Sequence, residues 1–170
     1  MKTVMERRNG KRVGFTLIEM LIVIVILGIL AMVIVPQIST SSDDAKLNTL
    51  RTNLSVMRNA VELYYAQHAS TYPGSARGGA GSDAEAFVQQ MTRYTDATNA
   101  ISMVKSTQYK FGPYVKGNTL PPNPFNGLVT IAVDTVVDNI TTRVADNSTG
   151  WKFYTKTGVL IANTTDHVNE

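Results

Sequence analysis

The sequence predicts an α+β fold in which a long N-terminal α-helix packs on a small antiparallel β-sheet. Three observations support this prediction. Residues 15–35 are nearly all Leu, Ile, Val, Met or Phe, which is typical of a buried or membrane helix. Residues 47–64 have apolar side chains at intervals of three and four, which indicates an amphipathic helix. Residues 128–137 and 150–163 are rich in β-branched and aromatic residues, which favour strands.

The apolar run has 21 residues, about the length that crosses the hydrocarbon core of a bilayer as a helix. Pro36 follows it, and we expect this proline to kink or end the helix because it lacks an N–H and clashes with the preceding turn. The cations just before the run, Lys11 and Arg12, predict by the positive-inside rule that residues 1–14 lie in the cytoplasm. A signal anchor, or a signal peptide cut near Ser41, would share this pattern.

The charge of the chain is concentrated in its first residues. The formal net charge is +3, but five of the 16 Lys and Arg residues precede Gly14, together with one acid. The rest of the chain is close to neutral and has no cluster of Lys and Arg, so we expect no nucleic-acid partner. There is no cysteine, which excludes disulfides and thiolate chemistry.

Glu19 is the single acid in the apolar run. A charged side chain deep in a membrane helix costs roughly 2.5–3.5 kcal/mol on insertion scales, so such residues usually have a partner and a function. A cut between Gly14 and Phe15 would create an α-amino group one helical turn from Glu19. The carboxylate could then pair with the amine of its own chain or of a neighbouring chain, which would make Glu19 a docking determinant.

Residues 8–36 resemble the N-terminal signature of type IV pilins and of the pseudopilins of type II secretion systems. The matching positions are Gly14, Phe15, Thr16, Leu17 and Glu19. The resemblance implies that a prepilin peptidase cuts after Gly14 and methylates the new amine, which gives N-methylphenylalanine at Phe15. It also implies that Glu19 guides assembly into a helical filament of identical or related subunits, on an inner-membrane assembly platform, after a stage in membrane lipid.

The stretch after Pro36 predicts a second helical segment. Residues 39–44 are polar with poor helix propensity, so they form either a soft spot in one long helix or a break, after which Ser42 could cap a restart. The amphipathic stripe from Leu47 to Tyr64 follows, and Tyr72-Pro73-Gly74 is expected to end the helix. Residues 74–82 indicate a flexible loop. Residues 82–85, Ser-Asp-Ala-Glu, predict a capping box at the start of a short helix.

The later part of the chain predicts the sheet. We expect a strand within 128–137 and a hairpin within 150–163 that turns at residues 156–158. Four side chains are predicted to face the long helix: Trp151, Phe153, Val159 and Ile161. Residues 110–127 are dense in Pro, Gly and Asn and predict an ordered loop, because proline cannot pair within a central strand.

That loop contains a second resemblance. The segment GPYVKGNTLPPNPFNG (112–127) is similar to one in G-type major pseudopilins, although Asn123 stands where that family has Asp and Phe125 where it has Trp. The resemblance implies a pilin-like fold. Its parts would be a leader (1–14), a transmembrane or filament-core helix (15–36), an amphipathic helix (37–71) and a globular head (72–170).

Family heads of this type often hold a calcium ion, and calcium prefers carboxylate, carbonyl and amide oxygens. The candidate ligands here are Asp134, Asp138 and Asp146, which could equally be exposed turn residues. His68 and His167 are predicted to be solvated surface groups. No nucleophile, base or metal spacing surrounds them, so the sequence does not indicate an enzyme.

The resemblance therefore implies a structural subunit of a type IV pilus-like filament, and favours a type II secretion pseudopilin in a periplasmic pseudopilus for protein export. A pilin of a surface pilus is the alternative within this class. A membrane-anchored or secreted binding protein or enzyme is the alternative outside it. The expected location is the bacterial inner membrane, crossed once with the N-terminus in the cytoplasm, and then a filament in the periplasm or at the cell surface.

Overall fold

A computed structural model describes residues 14–74, 83–139, 141 and 143–170, with only the backbone described for residues 33–41. The predictions for the leader before Gly14 and for the glycine-rich loop, including a cap at Ser82, lie outside the described residues. The elements in chain order are α1 (Leu17–Gln67), α2 (Asp83–Thr92), β1 (Tyr94–Thr95), β2 (Ile101–Ser102), β3 (Ile131–Asp134), β4 (Trp151–Tyr154), β5 (Val159–Ala162) and a 3-10 turn (Thr165–His167). This composition confirms the predicted α+β class.

The chain divides into two compact units, Met1–Asp43 and Asp44–Glu170. Helix α1 contributes residues 17–43 to the first unit and residues 44–67 to the second. All other helices and strands belong to the second unit, which we call the head.

Helix α1 is continuous through Pro36 and through residues 39–44. Of the predicted alternatives, an end of the helix at Pro36 and a break with a restart at Ser42 are therefore wrong, and a single long helix through residues 39–44 is confirmed. Proline removes one intrahelical hydrogen bond, and propensity is a weak signal that longer-range context overrides. The helix ends at Gln67, four residues earlier than expected, and left-handed backbone at Ala69 and Ser70 follows.

The predicted amphipathic stripe of α1 forms one side of the core of the head. Its side chains are at most 1% exposed at Leu50, Leu54, Met57, Val61 and Tyr64. They pack in one cluster with Phe87 and Met91 of α2 and with Trp151, Phe153, Leu160 and Ala162 of the sheet. The inner face predicted for the short helix is thus confirmed at Phe87 and Met91, while Val88 is partly buried and Tyr94 lies in β1.

The main sheet has the order β3–β4–β5. Strands β4 and β5 form the predicted antiparallel hairpin, but β3 pairs with β4 in parallel, so the sheet is mixed rather than wholly antiparallel. The reason is the long connection over residues 135–150, which returns the chain to the starting end of β3; a tight hairpin turn could not do so.

The register of the hairpin corrects the predicted inner face. Trp151 lies opposite Ala162 and Phe153 opposite Leu160, and directly opposed residues share a face. Leu160 and Ala162 therefore join the core cluster with the two aromatic residues. The prediction that Val159 and Ile161 face α1 is wrong, because β5 reads Val-Leu-Ile-Ala and shows no alternation that would reveal its inner side.

The predicted loop over residues 110–127 is confirmed, and side-chain hydrogen bonds hold it on the sheet. Trp151 donates from Nε1 to the Pro121 carbonyl at 2.9 Å. The buried Asn123 donates from Nδ2 to the Gly150 carbonyl at 2.8 Å. These bonds satisfy buried polar groups at the start of β4 and fix the loop on one edge of the core.

Candidate processing and assembly site

The residues ahead of α1 are non-helical and open to solvent. Residues 14–16 precede the first helical residue, Leu17, and the Phe15 side chain is 75% exposed. Apart from its two chain neighbours, no described residue has an atom within 4 Å of the position that a Cβ would take on Gly14. The peptide bond between Gly14 and Phe15 is therefore in exposed, irregular backbone, which is the kind of segment that a peptidase can bind.

A reciprocal capping box closes the start of α1. The Thr16 hydroxyl accepts the Glu19 backbone N–H at 3.3 Å. Glu19 Oε2 in turn accepts the Thr16 backbone N–H at 3.0 Å and the Thr16 hydroxyl at 2.8 Å. These bonds satisfy N–H groups at the helix start that have no intrahelical partner, and they place an anion at the positive end of the helix dipole.

The capping box gives Glu19 a second role that sequence reasoning missed. The signal was present, because Thr16-Leu17-Ile18-Glu19 has the Thr-x-x-Glu spacing of this motif. Both bonds to the carboxylate use Oε2, and among the described residues Oε1 has no hydrogen bond. The carboxylate is thus fixed in the first turn with one oxygen available. Its pairing with an α-amino group stays a prediction.

The side chains that follow are apolar and exposed on every side of the helix. The large hydrophobic residues from Leu17 to Met32 are between 45% and 85% exposed. The exposed residues follow one another in the sequence, so they do not form a single stripe along the helix. An apolar surface of this extent needs lipid or another protein against it.

The described residues contain no helix that is both long enough and apolar enough to cross a membrane.

Comparisons with known proteins agree with this geometry. The prokaryotic N-terminal methylation motif matches residues 12–35, a range that includes the Gly14–Phe15 bond and the capping box. The chain is also 33% identical over 119 residues to the type II secretion system core protein G of Vibrio cholerae, across 70% of this chain and 69% of that protein.

The chain belongs to the family of the type II secretion system core protein G.

Other relatives of this pseudopilin match over shorter lengths. The core protein G of Pseudomonas aeruginosa is 38% identical over 74 residues, which cover 44% of this chain and half of that protein. The prepilin peptidase-dependent protein A of Clostridium perfringens is 38% identical over 64 residues, which cover 38% of this chain and 46% of that protein. No solved structure matches the chain.

The three calcium candidates of this pseudopilin head are not brought together by the described residues. Asp134 Oδ1 accepts the N–H groups of Val136 and Val137, so this carboxylate closes the turn after β3. Asp138 is exposed in the same connection. Over the described ranges, no three side chains of His, Cys, Asp or Glu form a group that could hold a metal ion. Calcium binding therefore stays a prediction, and the described carboxylates do not form a site for it.

Asp146 is fixed in a polar cluster. Its Oδ1 accepts bonds from the Ser148 hydroxyl at 2.6 Å, the Ser148 N–H at 2.9 Å and Asn163 Nδ2 at 2.7 Å. The bonds from Ser148, followed by the one from Asn163, lower the pKa of Asp146 to about 2. The carboxylate thus stays ionised and ties the loop before β4 to the end of β5.

The prediction that His68 is a solvated surface group is wrong. This side chain is only 1% exposed and stacks on the Tyr64 ring at a centroid distance of 3.8 Å. Its Nδ1 lies 2.9 Å from the Tyr64 carbonyl and its Nε2 lies 2.9 Å from the Thr95 hydroxyl. Because a carbonyl only accepts, Nδ1 carries the proton and Nε2 accepts from Thr95. His68 is a satisfied core residue, whereas His167 is half-buried and stacks on Phe125.

Proposed function

We propose that this chain is a structural, non-catalytic subunit of the pseudopilus of a type II secretion system. In this proposal a prepilin peptidase cuts after Gly14 and methylates the amine of Phe15. The mature chains then associate into a helical filament on an inner-membrane platform. The observation that supports the proposal most directly is the start of α1, where the exposed non-helical Gly14–Phe15 bond lies just before a capped helix whose large side chains from Leu17 to Met32 are apolar and exposed.

The capping box suggests why cutting and helix formation do not interfere. Thr16 and Glu19 fix the first helical residue at Leu17, which keeps the helix from extending over the bond that is cut. After the cut, the new amine is one residue before Thr16 and close to the first turn. The free Oε1 of Glu19 is then available to an ammonium group, from its own chain or from a neighbour.

Before assembly, we propose, the chain crosses the inner membrane once with residues 1–14 in the cytoplasm. The support is the 21-residue apolar run after Lys11 and Arg12. Exchange of lipid for neighbouring apolar helices changes the free energy little, because lipid tails and Leu side chains are similarly apolar. A contact that defines the stagger between subunits must therefore be polar, and Glu19 is the acid in the run.

Two substitutions separate the charge of Glu19 from its capping role. Glu19→Gln removes the charge but retains the capping box, because either Glu or Gln can occupy this position of the motif. Glu19→Ala removes both. We expect both variants to be cut after Gly14 as in the parent and to form at least tenfold fewer filaments, measured as sheared filaments from cells with the secretion machinery.

Thr16→Ser is the matched control, because it preserves the hydroxyl and should assemble normally. Efficient filaments from Glu19→Gln would contradict the role of the charge. An assay of exported enzymes in a strain that lacks the chain tests the secretion function itself, and unchanged export would contradict it.

A further inference from the structure

Residues 94–111 form a small flap that packs on the end of α1. The flap contains β1 and β2, which pair over two residues each and make a sheet of their own. Main-chain bonds between Thr95 and Phe111, at 3.0 and 3.1 Å, close its base. Among the described residues, the flap contributes no side chain to the hydrophobic core cluster of the head. Its position on the head therefore depends mainly on polar and ring contacts.

Two side chains at the end of α1 make buried hydrogen bonds to the flap. The Tyr64 hydroxyl donates to Asn99 Oδ1 at 2.7 Å. The Thr95 hydroxyl donates to His68 Nε2 at 2.9 Å. These four residues are at most 3% exposed, and the Tyr64 and His68 rings stack on each other one helical turn apart. A longer bond of 3.4 Å joins Gln90 of α2 to the Asn99 carbonyl. The stacked pair therefore anchors the flap to α1.

The bond between His68 and Thr95 requires a neutral imidazole. Nδ1 donates to the Tyr64 carbonyl at 2.9 Å, so Nε2 must be the acceptor. A proton on Nε2 would put an N–H against the Thr95 hydroxyl and a cation in a site that is only 1% exposed. A buried cation without a paired charge is costly, whereas the same cation is solvated when the flap is open. Acid therefore favours the open flap.

The groups that face the imidazole do not offset this cost. The rings around it are those of Tyr64, Tyr114 and Phe111. Burial raises the pKa of both tyrosines, so neither is an anion near neutral pH. The negative charge of Asp96 favours the cation, but the pKa of His68 is lowered overall because burial has the larger effect. The closed flap thus holds the ring in its neutral form.

We infer that the flap is an acid-sensitive device: protonation of His68 releases residues 94–111 from α1 while the core of the head stays folded. The bond between Tyr64 and Asn99 and the ring contact with Phe111 open with it. The core stays folded because the flap contributes nothing to its apolar cluster. The release occurs within one head, so it requires neither processing nor assembly.

Hydrogen exchange of the detergent-solubilised full-length chain, followed by mass analysis of its peptides, tests the release. Exchange is measured at pH 7.5 and pH 5.5 and corrected for the intrinsic effect of pH on amide exchange. The bonded amides of the flap include those of Thr95, Asp96, Asn99 and Phe111. We expect their protection to fall roughly five- to tenfold at the lower pH, as the uptake of one proton requires. At pH 5.5 they should exchange about a hundredfold faster than amides of the β4–β5 hairpin, because the flap opens without the core.

Two histidine variants provide the comparison. His68→Gln removes the titrating group, so the protection of its flap should be the same at both pH values, even where the substitution lowers that protection. His167→Gln, at the other histidine of the chain and outside the flap, should behave as the parent does.

Two kinds of result would overturn the inference. A parent flap whose protection is the same at both pH values, or falls equally in His68→Gln, would show that protonation of His68 does not release it. Equal protection of the flap and the hairpin at pH 5.5 would show that the head opens only as a whole.

Discussion

At the residue scale, His68 shows how burial changes a measurable property of the head. Burial lowers the pKa of His68, against smaller opposite effects of its bond to Tyr64 and of Asp96. The unfolded chain therefore binds a proton at this position at a higher pH than the folded chain does. The free energy of unfolding should be at its full value above the ordinary pKa of 6.5 and should decrease as the pH falls below it, until the folded-state pKa is passed.

Urea unfolding of the detergent-solubilised chain, followed by the fluorescence of the single tryptophan, Trp151, measures this dependence. Between pH 8 and pH 5.5 the parent should lose stability, and His68→Gln should be less stable at pH 8 but show a flatter dependence. An equally steep dependence in both proteins would show that another group is responsible.

Single residues also show where sequence reasoning succeeds and where it stops. The position of Glu19 one turn from Phe15 follows from helical spacing, and the structure places it in the first turn as expected. The burial of His68 could not be read, because it depends on Thr95, which is distant in sequence and reaches His68 only in the folded head. The capping box was readable from local spacing and was missed.

At the scale of elements, the β4–β5 hairpin offers the sharpest test of register. Leu160 is 1% exposed in the core, whereas its neighbour Val159 is only partly buried. Leu160→Ala should lower the free energy of unfolding by about 2–5 kcal/mol because it leaves a cavity. Val159→Ala should cost clearly less, because its side chain is only partly buried. Similar losses for the two variants in urea unfolding would contradict the register.

The turn of the same hairpin depends on a glycine. Gly158 has a φ of +71°, and a Cβ there would meet the Tyr72 hydroxyl and ring. Gly127 has nearly the same φ, +72°, but in the described part of the chain no atom beyond its two neighbours lies within 4 Å of a Cβ there. Both substitutions to Ala should be destabilising, by about 1 kcal/mol from backbone strain alone. We expect Gly158→Ala to cost clearly more in urea unfolding, and equal losses would contradict the close packing of Tyr72.

The elements themselves were largely predictable, but their pairing was not. The intervals of three and four from Leu50 to Tyr64 predicted the buried face of α1, and the glycine at position 158 predicted the hairpin turn. The parallel pairing of β3 with β4 depends on how the connection over residues 135–150 folds, and no local pattern reports that. Similarly, the uniformly apolar Val-Leu-Ile-Ala of β5 gave no indication of its inner side.

At the scale of the whole molecule, the proposed assembly depends on one covalent change, the cut after Gly14. The large apolar side chains from Leu17 to Met32 are exposed and require a partner. The resemblance in residues 8–36 predicts both the cut and its consequence. In this view, removal of the leader exposes an amine beside Glu19, and the processed chains associate through their apolar helices. The calcium prediction, by contrast, is not supported by any cluster of three or more His, Cys, Asp or Glu side chains among the described residues.

Mass analysis of the N-terminus of the protein purified from its native cell tests this claim most directly. The account predicts a chain that begins at Phe15 with one methyl group on its α-nitrogen. A mature protein that retains Met1, or one that begins near Ser42, would contradict it.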